Sequence, residues 1–233
     1  MNDFPYRTAL IVGTGPGISA SLARQFTALG VKVGLVARDV SKLATLAEET
    51  RAVTFAADAS SAKAVAAMFN EVDQRLGEPD VVVYNASARA HGPIAEIDPT
   101  AAEKAVAISA LGGFFVTQQA AKRMLPKGRG AIMLTGASAS VKGFPLSSVF
   151  AMGKFALRGM AQSAARELGP KGIHVAHFVI DGGVRSARRP DPADKPDSTL
   201  DPDAIARTYI DVLRQHRSAW SLEVELRPWV EHF

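Results

Sequence analysis

The sequence predicts a single doubly wound α/β domain with a mostly parallel, seven-stranded sheet. Short apolar segments alternate with segments of helical periodicity along the whole chain, and no linker or internal repeat divides it. The apolar segments are nearly continuous, which is typical of parallel strands covered by helices on both faces. The length of 233 residues suits one such domain, over residues 1–233.

The strands are recognised as short, often β-branched apolar runs that end in glycine or polar residues. They are predicted at Thr8–Val12, Val33–Val36, Val53–Ala56, Val81–Tyr84, Ala131–Thr135, His174–Ile180 and Trp220–Leu226. The helices between them are recognised by apolar residues at spacings of three and four and by capping residues. They are predicted from Ile18 to Leu29, from Ser41 to Thr50, from Ser60 or Ser61 to about Leu76, from Thr100 to Met124, from Ser148 to Leu168 and from Pro202 to about Gln215.

The turn after the first strand is rich in glycine. Gly13, Gly15 and Gly17 follow Val12, and helical periodicity begins at Ile18. Such a turn lets the backbone approach a pyrophosphate, and the helix N-terminus offers it free N–H groups. A glycine turn alone is equally compatible with a tight turn that binds nothing. The prediction of a dinucleotide site therefore depends on the residues at the other strand ends.

The composition excludes several classes of function. The net charge of +4 is spread along the chain without a basic stripe and interleaved aromatics, so we predict no nucleic-acid binding. There is no cysteine, which excludes thiolate catalysis and Cys-ligated zinc, and the histidines lack the spacing of metal ligands. No signal peptide or segment of transmembrane length is recognised. We therefore expect a cytoplasmic protein that does not bind membranes.

Several motifs occur in the order and spacing that resemble the short-chain dehydrogenase/reductase family over nearly the whole chain. Val12–Ser19 resembles the TGxxxGxG turn, with serine in place of the last glycine. Asp58-Ala59 resembles the family's adenine-contacting element, and Tyr84–Ser87 resembles its NNAG motif. Ile180–Val184 stands at the place of its PG turn, which holds nicotinamide. The resemblance implies a Rossmann-type domain that binds a nicotinamide dinucleotide.

By this resemblance, one set of residues contacts the cofactor. It comprises Gly13, Gly15, Gly17, Ile18, Arg38, Asp58, Ala59, Asn85, Ala86, Ser87, Lys154, Gly182 and Val184. An acidic residue at the end of the second strand would bind the ribose 2′-hydroxyl and repel a 2′-phosphate. Arg38 stands there instead, and its guanidinium suits bidentate phosphate contact. We therefore predict NADP(H) in preference to NAD(H).

The catalytic positions depart from the family pattern. Lys154 matches the lysine of the YxxxK motif, but Phe150 stands at the tyrosine position and has no proton to exchange. The serine position is Ala137, with Ser138 beside it, and the asparagine position is Ser109. The candidate catalytic set is therefore Lys154, Ser138 and Ser109, together with Phe150 at the tyrosine position. The sequence leaves open whether Ala137 or Ser138 faces the pocket.

Two functions are compatible with this degenerate catalytic tetrad. The first is an NADP(H)-dependent oxidoreductase that transfers hydride to or from a small carbonyl or alcohol, with a proton from water, His91 or a serine. The second is a non-catalytic NADP(H)-binding sensor or partner-binding protein, because three of the four catalytic side chains are missing. The serine-rich segment expected at the pocket favours the enzyme.

Two regions carry further expectations. Arg185–Pro202, here called the lid segment, is rich in Pro, Asp and Arg, and predicts a mobile substrate lid or a disordered surface loop. The helices around Ala105–Met124 and Phe155–Ala165 are more apolar than one sheet face requires. By the resemblance they form the subunit interface, so we expect a homodimer or homotetramer.

Overall fold

The computed structural model describes residues 4–231 and contains one seven-stranded sheet. The strands are β1 (Thr8–Val12), β2 (Lys32–Ala37), β3 (Val53–Ala56), β4 (Val81–Tyr84), β5 (Gly130–Thr135), β6 (Ile173–Ile180) and β7 (Glu223–Leu226). Their order is β3-β2-β1-β4-β5-β6-β7, and every pair is parallel. The predicted single doubly wound domain is confirmed, and its sheet is wholly parallel.

Helices cover both faces of the sheet. They are α1 (Ile18–Ala28), α2 (Ala44–Thr50), α3 (Ala62–Arg75), α4 (Pro99–Val106), α5 (Gly112–Met124), α6 (Ser148–Leu168) and α7 (Pro202–Leu213). Alternate strand residues point to opposite layers. Ile11 packs with Phe26 of α1 and Tyr209 of α7 on one face, while Leu10 packs with Phe69 of α3 on the other.

Three predicted elements differ from the observed ones. The helix expected at Ser41 begins as a 3₁₀ turn at Val40, because the Asp39 carboxylate accepts the Ser41 N–H at 3.1 Å. The long helix is divided by a π-helical turn at Ala107–Leu111. The last strand begins at Glu223, because Trp220 leaves the sheet and stacks on His174 at a ring distance of 4.7 Å.

The strand order reverses between β1 and β4, and this position is where open α/β sheets bind ligands. Gly13 follows β1 with φ +86, and a Cβ built on it would lie 2.7 Å from the Cβ of Ala86, beyond β4. Only glycine permits both the positive φ and this approach. Among residues 4–231, no helix has the length and apolarity needed to cross a membrane.

A pair of helical glycines tests the packing between α5 and the sheet. A Cβ at Gly112 would lie 2.8 Å from the carbonyl oxygen of Ala59, whereas one at Gly159 of α6 meets nothing within 4 Å. We expect Gly112→Ala to lower the free energy of unfolding by about 2 kcal/mol. Gly159→Ala should leave it unchanged or raise it by about 0.5–1 kcal/mol. Urea unfolding measures both, and equal effects would contradict the packing described.

Candidate active site

Two cavities adjoin at the carboxyl edge of the sheet. The first, of about 380 Å³, lies over the ends of β1, β2, β3 and β4 and includes Gly13, Arg38 and Asp58 in its lining. The second, of about 400 Å³, lies over β5 and β6 beside α6. Asn85 and Ser87 line both cavities. One extended ligand can therefore occupy the two together.

The glycine turn forms an open backbone surface at the first cavity. The N–H groups of Gly13 and Thr14 both donate to the carbonyl of Val36, at 3.0 and 2.9 Å. A Cβ at Gly15 or Gly17 would meet nothing within 4 Å, so no side chain covers the turn. No side chain caps α1, and its first turn holds no acidic residue. Its N–H groups are thus available to an anion.

Ser19 locks this turn to the end of β4. Its hydroxyl donates to the Gly13 carbonyl at 3.2 Å and accepts from the Asn85 side-chain amide at 2.8 Å. The Asn85 backbone N–H in turn donates to Val12 at 2.8 Å. Sequence reasoning treated Ser19 only as a small replacement for glycine, and the pattern gave no signal of its bridging role.

Charged side chains surround the first cavity. Arg38 is exposed and forms no ion pair with the described residues. The neighbouring Asp39 is engaged by Ser41 and by Lys42, at 3.3 Å. Asp58 accepts from the hydroxyl and the backbone N–H of Ser60, and the hydroxyl contributes most to the lowering of its pKa. Within residues 4–231, the guanidinium of Arg38 therefore forms no close ion pair, although its charge adds to the lowering of the pKa of Asp58.

Lys154 is buried at the floor of the second cavity. Its side chain projects from α6, is only 2% exposed, and donates from Nζ to the Thr135 carbonyl at 2.7 Å. Burial is the main cause that lowers the pKa of Lys154 to about 7, and the charge of Arg89 adds to it. At neutral pH, this amine can therefore exist in both its charged and its neutral form.

None of the chain's three tyrosines lines either cavity. Tyr209 lies behind Thr135, bonds to its hydroxyl at 2.9 Å and stacks on Phe178, and burial raises its pKa. Tyr84 is buried and donates to the Ile108 carbonyl. Tyr6 lies at the opposite end of the molecule, near Phe4.

Phe150 lines the second cavity and carries a cation on its face. The Arg89 guanidinium carbon lies 4.1 Å from the ring centre, and the Lys154 Nζ lies 5.9 Å from it. Ser109 does not line the cavity, but its hydroxyl accepts the Ala88 N–H at 3.1 Å and donates to the Ala88 carbonyl at 3.2 Å. Ser109 thereby fixes the loop that carries Arg89, which sequence reasoning did not single out.

The remaining candidates lie in different places. Ala137 lines the second cavity, whereas Ser138 begins the 3₁₀ turn Ser138–Ser140 outside it. Gly182 and Val184 line the second cavity after β6. His91 is exposed and lines neither cavity. The linings of the two cavities thus include Gly13, Ile18, Arg38, Asp58 and Lys154. They include neither Gly15 and Gly17 nor Ser138, Ser109 and His91.

The sequence model of the short chain dehydrogenase family matches residues 7–191. The chain belongs to this family. It is 32% identical over 181 residues to a short-chain dehydrogenase/reductase of Armillaria gallica, covering 74% of this chain and 69% of the relative. These findings agree with the expectation of an oxidoreductase.

Solved structures of the family are similar over nearly the whole chain. A short-chain dehydrogenase from Rhodopseudomonas palustris has a TM-score of 0.82 and 34% identity, covering 96% of this chain and 99% of that one. A metagenomic short-chain oxidoreductase in complex with NADP has a TM-score of 0.84 and 26% identity, covering 97% and 98%.

The site of this family member fits a nicotinamide dinucleotide. The glycine turn and the α1 N-terminus offer uncovered N–H groups for a pyrophosphate. Arg38 lies free at the first cavity, and the two cavities adjoin through Asn85 and Ser87. Gly13 carries no side chain that could narrow the first cavity, and its close approach to Ala86 leaves no room for one.

The buried Lys154 predicts a pH-dependent stability. Because the pKa of Lys154 is about 7 in the folded chain and about 10.4 when unfolded, the unfolded state binds more protons between these values. Stability from this residue therefore rises with pH, by up to about 1.4 kcal/mol per unit. The Lys154→Met variant lacks this pH dependence. The free energy of unfolding of the variant should therefore exceed that of the native chain by the largest amount below pH 7.

Urea unfolding at several pH values from 6 to 10 measures the effect. Lys63→Met, at an exposed position of α3, is the matched control and should show a nearly constant difference from the native chain. A constant difference for Lys154→Met as well would contradict the buried, titrating amine.

Proposed function

We propose that the protein is an NADP(H)-dependent oxidoreductase that transfers hydride to or from a small carbonyl or alcohol, with an altered catalytic group. The observation that carries the proposal is that the two cavities lie next to each other and share lining residues. One is bounded by the glycine turn and Arg38, and the other is floored by Lys154. The NADP bound to the metagenomic relative supports the same cofactor.

Each cavity supplies contacts for one end of the cofactor. The N–H groups at Gly15, Gly17 and Ile18 hold the pyrophosphate, while Gly13, whose own N–H is bonded to Val36, shapes the turn. Arg38 holds the 2′-phosphate. Asp58, Ala59, Asn85, Ala86 and Ser87 border the nucleoside portions, while Gly182 and Val184 border the nicotinamide. A guanidinium that no carboxylate contacts closely is well suited to a phosphate, which explains our preference for NADP(H).

The altered catalytic group is centred on Lys154. Phe150 stands where the family has tyrosine and Ala137 stands where it has serine, so neither can move a proton. The bound cofactor supplies the hydride chemistry. We propose that the Lys154 ammonium both holds ribose hydroxyls and donates the proton to the oxygen of the reduced carbonyl, then regains a proton from water. His91 lies outside the cavity, and an unassisted serine is a poor proton donor.

The organisation around the site is part of the proposal. The chain forms one domain in which the lid segment borders the second cavity. Arg185 holds the base of this segment through Asp191 at 3.1 Å and Asp201 at 2.8 Å.

Exposed apolar residues on α5 and α6, among them Phe114 and Phe155, form the proposed interface with a second copy. Sedimentation at micromolar concentration should show a dimer or tetramer, and a monomer would contradict it.

Arg38→Ala tests the cofactor preference. The variant should weaken NADPH binding by about tenfold or more, the equivalent of about 1.4 kcal/mol for a charge-assisted contact, and leave NADH binding unchanged. Calorimetric titration measures both constants. Arg207→Ala, at an exposed position of α7, makes the same change in charge and should alter neither. Equal weakening of both cofactors by Arg38→Ala would refute the phosphate contact.

A panel of aldehydes, ketones, enones and oxo acids tests the reaction. At least one should oxidise NADPH, and because the proton donor is an amine whose pKa is about 7, the reductive rate should fall as pH rises through that range. The absorbance of NADPH measures it. Tight NADPH binding without turnover, with activity gained by Phe150→Tyr combined with Ala137→Ser, would instead identify a non-catalytic cofactor-binding protein. Failure to bind any dinucleotide would overturn both.

A further inference from the structure

We propose that the second cavity recognises a small organic acid, so that the carbonyl or alcohol substrate carries a carboxylate bound by Arg89. The inference rests on the proposed function and deepens it by naming the substrate class. It follows from the charges of the cavity, from the way Arg89 is held, and from the position of Arg89 relative to Lys154.

The lining of the second cavity is cationic. Arg89, Lys154, Arg188 and Arg189 all line it, and no Asp or Glu from residues 4–231 does. None of the three arginines forms an ion pair with a residue in that range. Unpaired cations that converge in a concave site create a positive potential that attracts anions. A neutral substrate would leave this charge without a partner.

The carboxylates that pair with Arg185 in the lid segment are already engaged. Within the lid segment, Asp191, Asp197 and Asp201 all pair with Arg185, at 3.1, 3.7 and 2.8 Å. Asp191 also accepts the Thr199 N–H at 2.9 Å. These three carboxylates thus hold the base of the segment together, while Arg188 and Arg189 face the cavity beyond it.

Arg89 is held in place without a counter-ion. The peptide groups on either side of Ala88 are fixed by the hydroxyl of Ser109, which contacts both its N–H and its carbonyl. The guanidinium then lies on the face of Phe150 at 4.1 Å. A stacked guanidinium keeps its N–H edge free for bidentate contact with a carboxylate. Ser109 is thus a positioning residue for Arg89.

The position of Arg89 places the anion beside the proposed proton donor. Arg89 and Lys154 both lie over the ring of Phe150, with the Lys154 Nζ 5.9 Å from its centre. A carboxylate on Arg89 would offset the charge that helps to lower the pKa of Lys154. Because the cavity of about 400 Å³ also has to admit the nicotinamide, the acid must be small.

The test compares matched acids and esters as binding probes. Pyruvate, levulinate and phenylglyoxylate, and the methyl ester of each, are titrated calorimetrically into the full chain with and without saturating NADP⁺. At least one acid should bind about tenfold or more tightly than its ester, since a charge-assisted contact contributes about 1.5–3 kcal/mol. Rising salt should reduce this preference.

Variants separate the substrate site from the cofactor site. Arg89→Gln should abolish the preference for the acid and leave NADP⁺ affinity within about twofold. Ser109→Ala should reduce the preference without removing it, and Arg207→Gln should change nothing. If Arg89→Gln weakens NADP⁺ instead, the guanidinium serves the cofactor phosphates and the proposal is overturned.

Equal affinity for every acid and its ester would overturn it too, as would no binding of any acid at millimolar concentration. These outcomes are distinct from failure of the proposed function, which would appear as no binding of NADPH or no oxidation of it by any carbonyl. Turnover of neutral ketones without any preference for acids would leave the oxidoreductase standing and remove only the inference.

Discussion

The close approach of two strand ends is the constraint on which the site depends. Where the strand order reverses between the neighbouring strands β1 and β4, the backbone of Gly13 passes so near Ala86 that no side chain fits between them. Ser19 and Asn85 then tie the turn to the loop after β4. The result is a backbone surface, open to solvent and without an acidic residue in the first turn of α1, at the point where the strand order reverses.

The second cavity is organised around a buried amine. Taking an ammonium out of water is costly, and within residues 4–231 the Lys154 amine donates to the Thr135 carbonyl and to no other described residue. The arrangement lowers its pKa toward neutrality, which a purely structural residue would not require. The amine and the Arg89 guanidinium both lie over the ring of Phe150, so two cations contact one aromatic side chain. The buried ammonium of Lys154 thereby lowers the free energy of unfolding of the chain at the residue for which we propose a chemical role.

The sequence predicted the fold closely because strands and helices are encoded locally. Apolar runs such as Val81–Tyr84 and the helix Ser148–Leu168 were predicted with the bounds observed. The π-helical turn at Ala107–Leu111 was missed because its residues continue an ordinary helical pattern. The placement of Arg38 and Lys154 at the cavities followed from motif order. Arg89 was missed because its importance arises from a ring and a hydroxyl far away in sequence, at Phe150 and Ser109.

A crystal structure of the protein grown with NADP⁺ tests the central claim most directly. We expect one dinucleotide across both cavities, with its 2′-phosphate on Arg38, its pyrophosphate at the glycine turn and its nicotinamide ribose on the Lys154 amine. A cofactor bound elsewhere, or bound with Lys154 still held only by the Thr135 carbonyl, would contradict it.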